Sequence, residues 1–171
     1  MKKYALCTLM VGLGLAPIVG LAGARAALGR PAVLYNPSPS EPTGLYRLSS
    51  SPPAPGRVIA FHVPQKGRAY ASIHLRYVMH NAILKEIAAG EGAVVCDRGG
   101  IVSIDGQVRG WVVPTDRHGV QLPHWTGCQR LQKGQYFVLS NRIPNSFDSR
   151  YYGPVSQGDL IGVYQPFRTN P

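Results

Sequence analysis

The stretch GAVVCDRGGIVSIDGQVRG, Gly92–Gly110, contains runs of β-branched and other apolar residues that are separated by short turns. The first turn is Arg98-Gly99-Gly100 and the second is Asp105-Gly106. A Gly-Gly or Asp-Gly pair between two such runs is typical of a tight hairpin, because these residues tolerate the positive φ angles that the turn requires. The segment therefore predicts consecutive antiparallel strands.

The rest of the chain has the same character. Its 15 prolines and 20 glycines among 171 residues favour short strands joined by turns. Residues 71–87 predict a short helix followed by a strand over Ala82–Ala88, and Val112–Cys128 predicts a long loop. Three further strands are predicted at GRVIAFHVP (56–64), GQYFVLS (134–140) and GDLIGVYQP (158–166). We therefore expect a mainly β domain.

The N-terminus predicts export from the cytoplasm. Lys2 and Lys3 precede an uncharged run from Tyr4 to Ala24, which is close to the ~20 apolar residues that cross a bilayer as a helix. The lysines are expected to stay in the cytoplasm. Residues 1–24 are either a retained apolar membrane helix or a signal peptide cleaved after Ala22-Gly23-Ala24. In both cases residues 25–171 form one exported domain.

The net charge of +10 does not indicate a nucleic-acid partner. The basic residues are scattered along the chain, and no Arg/Lys run is interleaved with aromatic residues. Attraction to the anionic lipid headgroups of the inner membrane surface is the consequence that we expect.

The cysteines agree with an exported domain. Cys7 lies in the apolar run, which leaves Cys96 and Cys128 as a single pair in the exported part. Oxidising conditions favour a disulfide between them. The chain has no C-x-x-C motif and its five histidines have no ligand spacing, so neither a metal site nor a cofactor is predicted.

The segment YNPSPSEPTGLY, Tyr35–Tyr46, holds two serines between three prolines. Proline restricts its own φ and pushes the preceding residue toward extended conformations. Residues i and i+2 of an extended chain point the same way, which directs the hydroxyls of Ser38 and Ser40 at one patch of space. The segment is either a Pro/Ser-rich linker or a place where two hydroxyls act together.

Lys85 lies in the predicted strand on the same face as Ile83 and Ile87. A charged amine is costly on a buried face, so Lys85 either extends its amine to the surface or is held away from water. Desolvation lowers the pKa of a lysine and makes it a candidate general base for a serine. A Ser/Lys pair is a known arrangement of nucleophile and base.

Taken in order, these motifs resemble the signal peptidase I superfamily. They are Ser-x-Ser-x-Pro, GRVIAF, ILKEIAAGEGAVV with a following IDG, and SNRIPNSFDSRYYG. The last box matches the family pattern at Ser146, Asp148, Ser149, Arg150 and Gly153. NPSPSEPTGLY and the compact length are most similar to the conjugal transfer peptidases of the TraF branch. The resemblance implies a compact antiparallel β-sheet domain with a short helix.

The resemblance also implies a role for each matching residue. Ser40 is the expected nucleophile and Lys85 its general base. Ser38 is expected to bind the oxyanion together with the backbone N–H of Ser40, and Ser146 to orient the Lys85 amine by a hydrogen bond.

Asp148 and Arg150 are expected to pair and brace the site. A purely structural ion pair and a direct catalytic role remain open for them. The chain departs from the family at Glu41, where a bulky apolar residue is common, and at Ser140, where an acid is expected. Tyr152 occupies the position of a histidine that some TraF relatives use, which favours the Ser/Lys dyad.

Members of the TraF branch mature the pilin subunit of a plasmid transfer system, and some join its ends into a ring. The resemblance therefore implies a serine endopeptidase that processes a membrane-anchored pilin precursor at the periplasmic face of the inner membrane. The mating-pair-formation apparatus is the expected partner. A general leader peptidase and a non-catalytic periplasmic assembly factor are the alternatives.

Overall fold

The structure is a computed structural model that describes residues 29–170. The predicted signal peptide or membrane anchor, residues 1–24, and its apolar helix lie outside the described residues. Among the helices that are described, none has both the length and the apolar character needed to span a bilayer. The expected mainly β, antiparallel fold is confirmed, with eleven strands and three short helices in the described part.

The strands are short, as the frequent turns predict. They are β1 (Val33–Asn36), β2 (Thr43–Ser49), β3 (Val58–Phe61), β4 (Ile83–Ala89), β5 (Val94–Arg98), β6 (Ile101–Ile104), β7 (Gln107–Trp111), β8 (Gly127–Arg130), β9 (Gln135–Val138), β10 (Val155–Ser156) and β11 (Leu160–Asn170). The helices are α1 (Gln65–His74), α2 (Arg76–His80) and α3 (Ser149–Tyr152).

The strands form two antiparallel sheets. The large sheet has the order β1-β2-β11-β3-β4-β9-β10, and the small sheet has the order β7-β6-β5-β8. Strand β4 pairs with β3 on one side and β9 on the other, so it lies inside the large sheet. In this register Lys85 is opposite Ile59, which is fully buried. The sheet therefore holds Lys85 on a rigid, well-packed strand.

The buried apolar residues form clusters on the two sheets. One cluster lies on the large sheet beside α1 and α3 and includes Ile59, Phe61 and Ile87. Another joins residues of both sheets, such as Val95 of the small sheet and Phe137 of the large sheet. Burying one side chain of this size stabilises the fold by about 1.5–3 kcal/mol. These contacts are the main support for the strands that carry polar residues.

The linker interpretation of residues 35–46 is wrong. Strand β1 ends at Asn36, β2 begins at Thr43, and Asn36 pairs with Gly44. Residues 39–41 form a turn rather than an extended chain. Gly44 has a φ of +131°, and a Cβ there would lie 2.2 Å from the Arg168 carbonyl oxygen, so only glycine allows β11 to approach this closely.

Two other local predictions need correction. The predicted short helix is two helices, because Leu75 (φ −130°, ψ 49°) leaves the helical region between α1 and α2. The predicted loop ends before Cys128, since Gly127 and Cys128 belong to β8. Strand β8 depends on pairing with β5, which no short-range pattern in its own sequence indicates.

The pairing of β5 with β8 places the two cysteines opposite each other. Cys96 and Cys128 form a disulfide with their Cα atoms 4.0 Å apart. The bond joins residues 32 positions apart and closes a loop that contains β6, β7 and the segment that leads to β8. The disulfide therefore links β5 and β8, which are the first and the last strands of the small sheet in sequence.

We predict that the double variant Cys96→Ser/Cys128→Ser has a free energy of unfolding lower by about 3–4 kcal/mol, because an unfolded chain with this loop open has more conformational entropy. Guanidinium titration followed by tryptophan fluorescence measures the difference. The reduced wild-type protein is the control and should match the double variant. Equal transition midpoints for the oxidised protein and the variant would contradict the prediction.

Candidate active site

The serine-containing turn, residues 37–42, is shaped by the side chain of Asn36. The Asn36 Nδ2 atom lies 2.9–3.1 Å from the carbonyl oxygens of Ser38, Glu41 and Pro42. Its Oδ1 atom accepts a hydrogen bond from the Ser38 backbone N–H at 3.1 Å. An asparagine before proline commonly starts a turn in this way. One buried side chain thus sets the backbone path that carries both serines.

The two serine hydroxyls meet, as the spacing predicts. The Oγ atoms of Ser38 and Ser40 are 3.0 Å apart, and the Ser40 backbone nitrogen lies 3.4 Å from Ser38 Oγ. The Ser40 N–H thus donates to the Ser38 hydroxyl oxygen, and both groups lie beside the Ser40 hydroxyl. Both are able to donate to an oxyanion that forms when Ser40 attacks a carbonyl carbon.

The Lys85 amine reaches the same place from strand β4. It donates a short hydrogen bond to Ser40 Oγ and lies 3.3 Å from the Leu84 carbonyl oxygen. The exposed fraction is 4% for Lys85 and 2% for Ser40. The amine is thus held away from water, and the alternative in which it extends to the surface is wrong.

Burial lowers the pKa of Lys85 from 10.5 to about 8. The negative charges of Asp148 and Glu41 oppose this shift, and the positive charge of Arg150 adds to it. With a pKa of about 8, about a tenth of the amines are neutral at pH 7. A neutral amine hydrogen-bonded to a serine hydroxyl has the arrangement that a general base requires.

Asp148 and Arg150 form a buried two-point ion pair. The distances are 2.8 Å from Arg150 Nε to Asp148 Oδ1 and 2.9 Å from the second guanidinium nitrogen to Oδ2. Asp148 also caps α3 by accepting from the Arg150 backbone N–H. The backbone N–H of Ser140 donates to Asp148 Oδ2 at 3.1 Å.

The ion pair acts on the turn through Ser140. The Ser140 hydroxyl donates a short hydrogen bond to the Ser40 carbonyl oxygen. In the described part of the chain, neither Asp148 nor Arg150 makes a hydrogen bond to Ser40 Oγ or Lys85 Nζ. This geometry fits a bracing role better than direct participation in proton transfer.

The predicted hydrogen bond from Ser146 to the Lys85 amine is not formed. The Ser146 hydroxyl is buried and has no hydrogen-bond partner among residues 29–170. Its carbonyl oxygen instead accepts from Arg150 at 3.2 Å. Ser146 is therefore held through its backbone carbonyl group, by the same guanidinium group that pairs with Asp148.

A cavity of about 260 Å³ opens over the two serines and Lys85. Its walls are largely apolar and include Val78 and Ile143. A neighbouring cavity of about 780 Å³ shares three of its lining residues, which are Leu75, Asn145 and Phe147. The two cavities therefore adjoin at these three residues.

None of the five histidines lines the cavity over the serines. Within residues 29–170, no group of three His, Cys, Asp or Glu side chains is arranged to hold a metal ion. Tyr152, at the position of the family's occasional histidine, is buried with its hydroxyl 3.5 Å from the Phe147 carbonyl oxygen.

Sequence reasoning gave no role to two residues that shape this site. For Asn36 a role could have been found, because an Asn-Pro pair favours turn initiation. Ser140, like Glu41, was noted only as a departure from the family, and its contact with Ser40 spans 100 positions in sequence.

The chain is similar in sequence to several known proteins. The chain is 26% identical over 179 residues to a plasmid transfer protein TraF from Escherichia coli, with 99% of each chain covered. It is 28% identical to a signal peptidase I from Leptolyngbya laminosa over 66% of this chain and 51% of that one. A crystal structure of a signal peptidase I from Enterococcus faecalis V583 is 24% identical and has a TM-score of 0.41, covering 67% of this chain and 98% of that chain.

A family model also matches most of the chain. The model describes signal peptidase, peptidase S26, and it matches residues 6–167. This range contains the serine turn, strand β4 and the box around Asp148. The chain therefore belongs to the signal peptidase family, peptidase S26.

Proposed function

We propose that this protein is a serine endopeptidase of a plasmid conjugation system, and that it processes a membrane-anchored pilin precursor by acyl transfer. The observation that carries the proposal is the hydrogen bond between the buried Lys85 amine and the Ser40 hydroxyl. Family membership supports a peptidase of the signal peptidase kind. Similarity to TraF proteins over nearly the whole chain supports a role in plasmid transfer.

The proposed place of action is the periplasmic face of the inner membrane. The apolar run of residues 4–24 supports export, and the disulfide between Cys96 and Cys128 supports an oxidising compartment. The net charge of +10 favours contact with anionic lipid headgroups. The pilin precursor and the mating-pair-formation apparatus are the proposed partners.

The first half of the reaction forms an acyl-enzyme. Ser40 Oγ attacks the carbonyl carbon of the scissile peptide bond while Lys85 takes the hydroxyl proton. The oxyanion accepts hydrogen bonds from the Ser38 hydroxyl and the Ser40 N–H. When the C–N bond breaks, Lys85 gives a proton to the leaving amine, the part of the precursor C-terminal to this bond departs, and the N-terminal part remains as an ester on Ser40.

The second half removes the acyl group. Water can attack the ester and release a linear product, or the N-terminal amine of the same pilin can attack and release a ring. In either case Lys85 accepts a proton from the nucleophile and Ser40 recovers its hydroxyl. We propose the cyclic route, because two substrate ends held near one site have a high effective concentration.

A general leader peptidase is the second candidate. Similarity to signal peptidases of Leptolyngbya laminosa and of Synechocystis favours it, the latter at 31% identity over 65% of this chain. The two candidates differ in substrate range rather than in chemistry. An assay with the pilin precursor and a panel of unrelated exported precursors separates the two candidates. A conjugation peptidase should process the pilin precursor alone, whereas a general leader peptidase should also process the others.

The dyad is tested with a serine-directed acylating probe. Ser40→Ala and Lys85→Arg should abolish labelling, because the first lacks the nucleophile and a guanidinium cannot become a neutral base. Ser38→Ala should slow labelling by about 100-fold, as for the loss of one oxyanion donor. Wild-type protein must be labelled, and its failure to react would favour the assembly factor.

Lys85→Met is the matched control for folding in this test. It should be unlabelled, yet more stable than wild type by about 3 kcal/mol below pH 8, because it removes the cost of burying a charged amine. The gain should fade between pH 8 and 10.5, where the unfolded protein still binds the proton and the folded one does not. Full labelling of Lys85→Met would exclude the Ser/Lys mechanism.

The pH dependence follows from the lowered pKa of Lys85. We predict that the acylation rate of the wild-type protein rises about tenfold per pH unit below pH 8 and levels off above it, since only the neutral amine accepts the proton. Single-turnover labelling between pH 6 and 10 measures the profile. The melting temperature at each pH serves as the control for unfolding. A flat profile over this range would contradict the assignment of Lys85 as base.

The product is tested by mass spectrometry of the pilin from cells that carry the complete transfer system. A cyclic pilin should weigh one water less than the linear peptide and resist Edman sequencing. The Ser40→Ala strain is the control and should accumulate the precursor. Recovery of linear pilin alone, with a free N-terminus, would leave a processing peptidase without ring closure.

A further inference from the structure

Glu41 is a buried acidic residue next to the proposed nucleophile. Its exposed fraction is 5%. Its Oε1 atom accepts a hydrogen bond from the Glu86 backbone N–H at 2.9 Å. Burying a charged carboxylate is unfavourable unless it gains a hydrogen bond or an ion pair. The hydrogen bond from the Glu86 N–H is such a contact.

This hydrogen bond joins the two segments that carry the dyad. Glu41 directly follows Ser40, and Glu86 directly follows Lys85. Among residues 29–170, the serine turn makes only one other hydrogen bond to strand β4, which is the bond between Ser40 and Lys85 themselves. The Glu41 contact is therefore a second tie between turn and strand, placed one residue beyond the reacting groups.

The other hydrogen bonds of the serine turn join it to parts of the chain outside β4. Asn36 connects it to the end of β1. Ser140 and Arg142, which follow β9, hold the carbonyl oxygens of Ser40 and Pro39. None of these contacts joins the turn directly to β4; Ser140 does so only through its neighbour Leu139, whose backbone N–H donates to the Glu86 carbonyl oxygen at 3.2 Å. The position of the turn along β4 determines whether Ser40 Oγ stays within reach of the Lys85 amine.

The charges around the pair are few. Lys85 faces the negative charges of Asp148 and Glu41 and the positive charge of Arg150. Glu41 faces Lys85, Glu86 and Arg142, and it also acts on the hydroxyl of Tyr46. Burial raises the pKa of Glu41, whereas the Glu86 N–H and Lys85 lower it. Glu41 in its charged form raises the pKa of Lys85 and so opposes the effect of burial.

We propose that Glu41 is a positioning residue that holds the serine turn in register with strand β4 and thereby keeps Ser40 within hydrogen-bond reach of Lys85. This inference rests on the proposed function, because it concerns the acylation step. It assigns to a residue that departs from the family a structural task in this chain's own active site.

Three substitutions separate the hydrogen bond from the charge. Glu41→Asp keeps the charge but withdraws the acceptor by one methylene group. Glu41→Gln keeps an acceptor oxygen and removes the charge. Glu41→Met removes both. The exposed Glu91, which follows β4, provides the control substitution Glu91→Gln with the same loss of charge outside the site.

The readouts are the acylation rate constant, the probe's binding constant and the melting temperature of the full chain. We expect the rate constant to fall about 10- to 100-fold in Glu41→Asp and Glu41→Met, with probe binding unchanged, because a displacement of about 1 Å is this costly. Glu41→Gln should retain the rate within about threefold at high pH, and the acidic limb of its profile should move to lower pH. Glu91→Gln should match wild type.

A folded Glu41→Asp protein that reacts at the wild-type rate would overturn the inference, even if Glu41→Met does not fold. So would a Glu41→Gln protein that loses as much rate as Glu41→Asp. Failure of the proposed function looks different: wild type remains unlabelled, or Lys85→Met is labelled. The role of Glu41 alone would be rejected if wild type is labelled, Lys85→Met is not, and Glu41→Asp is acylated at the wild-type rate.

Discussion

The removal of the Lys85 amine from water is the constraint on which the rest of the site depends. An amine with its usual pKa holds its proton at neutral pH and cannot accept one from a serine. Burial inside the large sheet, opposite Ile59, lowers this pKa to about 8. The same burial is unfavourable for folding, so the surrounding core must supply the stability that this one residue takes away.

The structure meets this constraint by spreading the site over three separate segments. In the proposed mechanism the serine turn supplies the nucleophile and the oxyanion donors, β4 supplies the general base, and the segment after β9 supplies the ion pair that braces the turn. Asn36 shapes the turn, and Ser140 connects it to the ion pair of Asp148 and Arg150. Because each segment is held by its own hydrogen bonds, Ser40 Oγ and the Lys85 amine are in contact without a substrate, as the proposed acyl transfer requires.

The small sheet supports this brace from the outside. The carbonyl oxygen of Trp111, at the end of β7, lies 3.4 Å from a guanidinium nitrogen of Arg150. The indole N–H of Trp125 donates to the Ser149 carbonyl oxygen at 2.8 Å. Both contacts come from the loop region that the disulfide closes. The cross-link therefore limits the freedom of a part of the chain that touches helix α3.

Several features of the fold and of the site were readable from short stretches of sequence. The hairpins of β5, β6 and β7 follow from glycine turns, whose geometry is local. The period of two residues in a strand places Lys85 on a buried face. The meeting of Ser38 and Ser40 follows from a spacing of two residues, although a turn and not an extended chain brings them together.

What the sequence by itself determined was thus the β class, the buried lysine and the neighbouring hydroxyls, because each depends on residues a few positions apart. Tertiary structure alone decided that strand β8 forms and that the Ser140 hydroxyl donates to the Ser40 carbonyl oxygen. It also decided that the Ser146 hydroxyl makes no hydrogen bond to the Lys85 amine. The same is true of the link between Glu41 and Glu86. The Ser140 contact joins residues 100 positions apart in sequence, and the Glu41 contact joins residues 45 positions apart. Such contacts form only when the whole sheet has assembled.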